Sequence, residues 1–133
     1  MKVVAVDYGS ARTGVAASDP TGALARPVGV VERVRTEAGM EQLVELISGE
    51  SPERVVVGMP LTLRGERGEQ ALETERFVEE LSRALDVPVE GFDERFTTDL
   101  AEQDPGSRNL PADARAAAHL LTSYLAWSSR RAE

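Results

Sequence analysis

The residues of this sequence best suited to chemistry are carboxylates: Asp7, the adjacent pair Asp93 and Glu94, and Asp113. Asp7 ends the strand-like run that begins at Val3, the pair ends the run Val87 to Phe92, and Asp113 lies near the start of a helical segment. Gly9 and Gly14 follow Asp7 closely enough to let backbone or a phosphate approach it. Carboxylates gathered at one place repel one another, and protonation or a divalent cation relieves that repulsion. Ligation by oxygen alone suits Mg²⁺ or Mn²⁺. Two such ions, roughly 3.5 to 4 Å apart, activate water on one side of a phosphodiester and stabilise the leaving oxygen on the other. Taken singly, Asp7 reads as the opening of an Asx turn, and Asp113 as an acid that complements the dipole of a helix first turn. Only their convergence makes them a site.

The composition removes competing chemistries. With no cysteine in 133 residues, disulfides, thiolate zinc sites and cysteine nucleophiles are excluded, and the cytoplasm is the expected compartment. The single histidine, His119, cannot build a multi-histidine metal site and reads as a structural contact in the last helix. A composition 41% hydrophobic and 29% charged suits one soluble domain spanning 1–133. No apolar run approaches the roughly 20 residues of a membrane span, so no membrane partner is expected.

A net charge of −8 argues against a protein that coats nucleic acid by bulk attraction. Any grip on phosphate then falls to local cations, and nearly all of these are arginine, Lys2 being the only lysine. Arginine forks hold phosphate bidentately. Arg12 in the turn after Asp7, Arg95 directly after the acidic pair, and Arg64 and Arg67 in the 61–68 loop are the candidates for nucleic-acid contact. Surface ion pairs and a plain loop are the alternative reading of the same four residues. Tyr8, Phe92 and Phe96 carry rings that can stack on bases, but in a chain 5% aromatic the core has first claim on them. Thr97 and Thr98 read as caps of the segment that follows them.

The elements that must position these residues follow from the pattern. Val3 to Asp7, Thr13 to Ser18 and Leu24 to Val34 read as strands joined by the turns 8–12 and 19–22, an antiparallel meander. Met40, Leu43, Val44 and Ile47 recur at helical spacing, with Thr36 as N-cap and Gly49 just past the end. Arg54 to Met59 has the nearly all-apolar composition of a strand buried on both faces. Glu69 to Leu85 is a helix with a Thr74, Val78, Leu81 and Leu85 stripe, Val87 to Phe92 a fifth strand, and Pro111 to Trp127 a last helix. That helix packs through Ala114, Ala117, Ala118, Leu121 and Leu125. Right-handed crossovers make strands 4 and 5 parallel to strand 1. Their carboxyl ends then share one edge of a five-stranded mixed α/β sheet flanked by helices, the edge where such sheets bind ligands. With strand 4 between strands 1 and 5, the ends bearing Asp7 and Asp93 lie about 10 Å apart, and Gly58 leaves the space between them open.

Asp7 to Ala16, Val57-Gly58-Met59-Pro60-Leu61, Asp93 to Thr98 and Asp113 to Leu121, in that order along nearly the whole chain, closely resemble the YqgF (RuvX) family of pre-16S ribosomal RNA nucleases and Holliday junction resolvase-like proteins. The resemblance implies a ribonuclease H-like fold and a metal-dependent nuclease that matures the small-subunit ribosomal RNA precursor. It implies Asp7, Asp93, Glu94 and Asp113 as the acidic site, with Asp7, Glu94 and Asp113 taken as ligands of two Mg²⁺ or Mn²⁺ ions. The related junction resolvases carry an acid where this chain has Gly58, and the acidic pair replaces it. This chain departs from the family in a short 99–112 segment whose only cation is Arg108, and in Leu61-Thr62-Leu63-Arg64-Gly65 where an asparagine is usual.

Nucleic acid is thus the expected partner of a monomer or weak homodimer, with pre-16S RNA as the first substrate and junction DNA as the alternative. A noncatalytic nucleic-acid or protein-binding module of the same fold is a different class, favoured by the acidic 99–104 stretch. An actin-like ATPase or sugar kinase shares the Asp-x-Gly hairpin but needs two such lobes, and this chain supplies one.

Overall fold

The computed structural model describes residues 1–60, 68–93 and 112–131. Glu94, Arg95, Phe96, Thr97, Thr98, Arg64 and Arg67 lie outside them. In chain order the elements are β1 (Val3–Asp7), β2 (Arg12–Ser18), β3 (Ala25–Glu32), α1 (Glu37–Glu50), β4 (Arg54–Met59), α2 (Glu69–Ala84), β5 (Val89–Asp93) and α3 (Ala112–Arg131). The sheet order is β3-β2-β1-β4-β5, with β1–β2 and β2–β3 antiparallel and β1–β4 and β4–β5 parallel. The expected mixed sheet, with strand 4 between strands 1 and 5, is therefore the observed one.

Period-two alternation divides the core. Val4 and Val6 of β1, Val15 of β2, and Val55 and Val57 of β4 pack on one face with Leu43 and Ile47 of α1 and Phe77 and Leu81 of α2. Val3, Ala5, Ala16 and Val56 pack on the other with Phe92 of β5 and with Ala117, Leu120, Leu121 and Tyr124 of α3. α3 thus covers one face alone. Its alanines Ala114 and Ala117 are buried, and their small size lets the helix lie close to β2 and β1.

Boundaries differ from the sequence pattern at several ends. Thr36 caps α1 as expected, its hydroxyl accepting from the Gly39 N–H at 3.1 Å. The helix, however, runs through Gly49 to Glu50, and Ser51 takes the left-handed conformation, φ 49°, that glycine was expected to supply. Lys2 and Arg26 both pair with the Glu50 carboxylate, which holds that last turn against the sheet. β3 begins at Ala25 because Leu24, 73% exposed, is held in the preceding turn by its N–H to the Asp19 carboxylate, 2.9 Å. In α2 the buried stripe is Ala71, Thr74, Phe77 and Leu81; Val78 and Leu85 are only half-buried.

Candidate active site

Asp7 is the last residue of β1, and alternation after Val3 and Ala5 sends its side chain to the α3 face. Its cross-strand partner on β2 is Gly14. The absent side chain there is what lets α3 begin where it does, because a Cβ on Gly14 would overlap the backbone of Asp113. The first turn of α3 thereby sits on β2 beside Asp7. Burial, and after it the negative charge of Asp113, push the Asp7 carboxyl up to about 6. Two of the carboxylates singled out in the sequence, far apart in the chain, are therefore neighbours.

The turn between β1 and β2 is braced from within. The buried Thr13 hydroxyl donates to the Gly9 carbonyl at 3.1 Å and accepts from the Gly9 N–H at 3.3 Å. The Arg33 N–H donates to the Ala11 carbonyl at 3.0 Å, tying the same turn to the end of β3. Arg12, at the rim, pairs through Nε with Asp113 Oδ2 at 3.5 Å, with 65% and 39% of the two side chains exposed. Such an exposed contact contributes little to stability and leaves the guanidinium free to exchange partners.

Asp93 ends β5 level with Met59, and Gly58 is level with Phe92. Phe92 faces α3, so the two-residue period turns the Asp93 position to the opposite face of the sheet from Asp7. Among the described residues, no group of three or more His, Cys, Asp or Glu side chains gathers closely enough to hold an ion. What these residues form is a pair of neighbouring carboxylates, Asp7 with Asp113, at the carboxyl edge.

Of the rings singled out in the sequence, Tyr8 and Phe92 behave as core, and Phe96 lies outside the described residues. Tyr8 stacks on Phe77 of α2 with ring centroids 4.5 Å apart and planes 23° apart. Its hydroxyl is enclosed without a hydrogen bond of normal geometry, while Glu73 and Arg35 act on it through space. Burial first, and then Glu73, raise its pKa. Phe92 meets Tyr124 and Trp127 edge-on at 5.4 and 5.5 Å. Sequence reasoning passed over the triad at the far end of β4, where Tyr124 Oη accepts from Arg54 at 3.1 Å and donates to Glu90 at 3.1 Å. Partners so distant in the chain leave no local pattern.

A family model described as RuvX, Holliday junction resolvase, matches residues 1–127. A protein of Chloroflexus aurantiacus named "Putative pre-16S rRNA nuclease" is 42% identical over 130 residues, covering 92% of this chain and 85% of that protein. A protein of Desulforamulus reducens with the same name is 36% identical over 132 residues, covering 94% and 96%. In fold, the chain is similar to Thermus thermophilus RuvC in complex with a Holliday junction substrate, with TM-score 0.67, 19% identity, and 98% and 96% of the two chains covered. It is also similar to the fowlpox virus resolvase, with TM-score 0.53 and 12% identity. The five-stranded mixed sheet flanked by helices is thus the ribonuclease H-like fold of that resolvase, and the chain belongs to the RuvX family.

Proposed function

We propose that the protein is a nuclease that hydrolyses phosphodiester bonds in maturing the 5′ end of pre-16S ribosomal RNA. In this reading it works with Mg²⁺ or Mn²⁺ as a pair of ions, and Asp7, Glu94 and Asp113 are the metal ligands. The observation that carries the reading is the placement of Asp113 against Asp7, whose carboxyl is pushed up to about 6. Hard oxygen donors in mutual repulsion are the donor set that a divalent cation takes. When bound, such ions offset charge developing on phosphate and make water a nucleophile at neutral pH.

The chain's own residues orient and hold. Gly14 fixes the spacing of Asp7 and Asp113, and Thr13 with Gly9 stiffens the turn that carries Arg12. Arg12 exchanges Asp113 for a substrate phosphate. Arg64, Arg67 and Arg95 are assigned to phosphate contact from their sequence positions beside the same edge. The alternation that turns Asp93 from the α3 face sets it apart from Asp7 and Asp113 and favours Glu94 over Asp93 as third ligand.

A second substrate, the four-way DNA junction, is favoured by the description of the matching family model. The test offers a 5′-extended 16S precursor transcript and a four-way DNA junction to the protein, with Mn²⁺ and with EDTA, alongside Asp7→Asn. Cleavage of the transcript that requires Mn²⁺ and Asp7 is the expected result. Cleavage of the junction alone selects the second substrate, and binding of both without product overturns the nuclease reading in favour of a binding module.

A further inference from the structure

The charge of this protein is not spread evenly over its surface. α1 carries Glu37, Glu41, Glu45 and Glu50 with no cation, and α2 carries five glutamates against Arg76 and Arg83. These two helices therefore hold seven of the eight net negative charges of the whole chain. Both lie on the face of the sheet opposite α3, away from Asp7 and Asp113.

On α1, Glu37, Glu41 and Glu45 follow at four-residue intervals, so like charges stand one turn above another, an arrangement that destabilises a helix on its own. Elsewhere on these helices two of the acids are ion-paired: Glu50 with Lys2 and Arg26, and Glu80 with Arg35 at 2.7 Å. Glu41 and Glu45 make no ion pair or hydrogen bond with a described residue. They stand over a groove of about 320 Å³ between α1 and α2, floored by Met40 and Val44, one turn apart, and by Ala84 across from them.

We infer that this groove docks an amphipathic helix of a partner protein, one whose apolar side chains meet Met40 and Val44 and whose lysines or arginines pair with Glu41 and Glu45. An apolar floor with anchors one turn apart is what a helix lying in a groove reads. Charge selects among the occupants. RNA, DNA and an anionic bilayer carry the sign of the groove itself, and a second copy joined through the same face would set its seven charges against themselves. A cationic helix supplies both missing partners. Because the groove and the Asp7 edge lie on opposite faces, a basic protein and a polyanion can be held at the same time. The inference does not depend on the nuclease reading.

The ¹⁵N-labelled full chain is titrated with a leucine–lysine peptide of about five helical turns whose leucines line one face. A scrambled peptide of the same composition and a single-stranded RNA are run in parallel, and the protein is also prepared as Glu41→Lys/Glu45→Lys. The amphipathic peptide is expected to shift the amides of Met40, Val44 and Ala84. Binding is expected to weaken by about tenfold or more, both for the scrambled peptide and for the double variant, whose thermal midpoint does not fall. Equal binding of the scrambled peptide or of the charge-reversed protein overturns the inference, as do shifts centred outside α1 and α2 or the same shifts with RNA. A Val44→Ala protein that binds the peptide as tightly as the parent removes the apolar floor from the argument and overturns it likewise.

Discussion

Gly14 and Asp113 are in backbone contact: a Cβ on Gly14 would overlap the Asp113 carbonyl oxygen and lie 3.0 Å from the Ala114 nitrogen. Gly14 is also the cross-strand partner of Asp7, so one residue without a side chain sets the spacing of both carboxylates. Gly14→Ala is expected to push the first turn of α3 from β2 at a cost of about 1–3 kcal/mol. It also lets the Asp7 carboxyl fall toward its ordinary range, since Asp113 and part of the burial move away. Thermal melts and an NMR titration of Asp7 read the two effects, and an unchanged Asp7 titration denies Gly14 this role.

Asp7→Asn is expected to abolish cleavage and to raise the stability of the metal-free protein at neutral pH. The folded-state pKa of about 6 lies above the ordinary 3.8, so folding takes up a proton between those values. The associated stability is complete below pH 3.8 and is lost as pH rises through 6, on the order of 2–3 kcal/mol in all. The difference in midpoint between parent and variant should therefore be absent near pH 3.5 and full by pH 7. A gap that does not vary with pH contradicts the raised carboxyl.

Divalent cation acts through the same carboxylates. Mn²⁺ added at pH 7 is expected to raise the melting midpoint of the parent protein and to leave that of Asp7→Asn nearly unchanged, because binding to the folded state alone stabilises it. Equal shifts in both proteins would place the cation elsewhere.

Arg12→Ala should cost less than about 1 kcal/mol of stability, given the exposure of its contact with Asp113. Its effect is expected in nucleic-acid affinity, where the slope of log K against log salt falls by about one for the lost phosphate contact. An unaltered slope assigns Arg12 to the ion pair alone.

Thr13→Val keeps the shape of a buried side chain but removes both of its hydrogen bonds to Gly9. The turn then loses about 1–3 kcal/mol, and amide exchange at Gly9 should accelerate while that of β4 does not. Uniform acceleration across the sheet would mean that the hydroxyl supports the fold rather than the turn.

Much of this architecture was legible because its signals are local. The all-apolar Val55-Val56-Val57 announced a strand covered on both faces, Thr36 announced the start of α1, and crossover handedness put the carboxyl ends of β1, β4 and β5 on one edge. Asp7 and Asp113 were legible as residue types, but their contact depends on the packing of Gly14 against α3, which no spacing along the chain reveals. The spacing of the α2 stripe points to Val78, whereas the residue packed in the core is its neighbour Phe77, the largest fully buried side chain among the described residues. Gly49 is a misleading stop signal because tertiary ion pairs to Glu50 carry the helix through the glycine, two residues beyond the expected end at Ser48. The facing of Asp93 was hidden for a simpler reason: adjacent acids in a sequence look equivalent until the period of the strand is anchored by a buried neighbour, here Phe92.

Asp7 belongs to β1 and Asp113 to α3, which stand at opposite ends of the element order. The two acids therefore meet only when α3 has docked on the sheet that β1 has joined. A chain whose α3 is undocked has no paired acids, so on the proposed reading the seating of one helix assembles the cutting power.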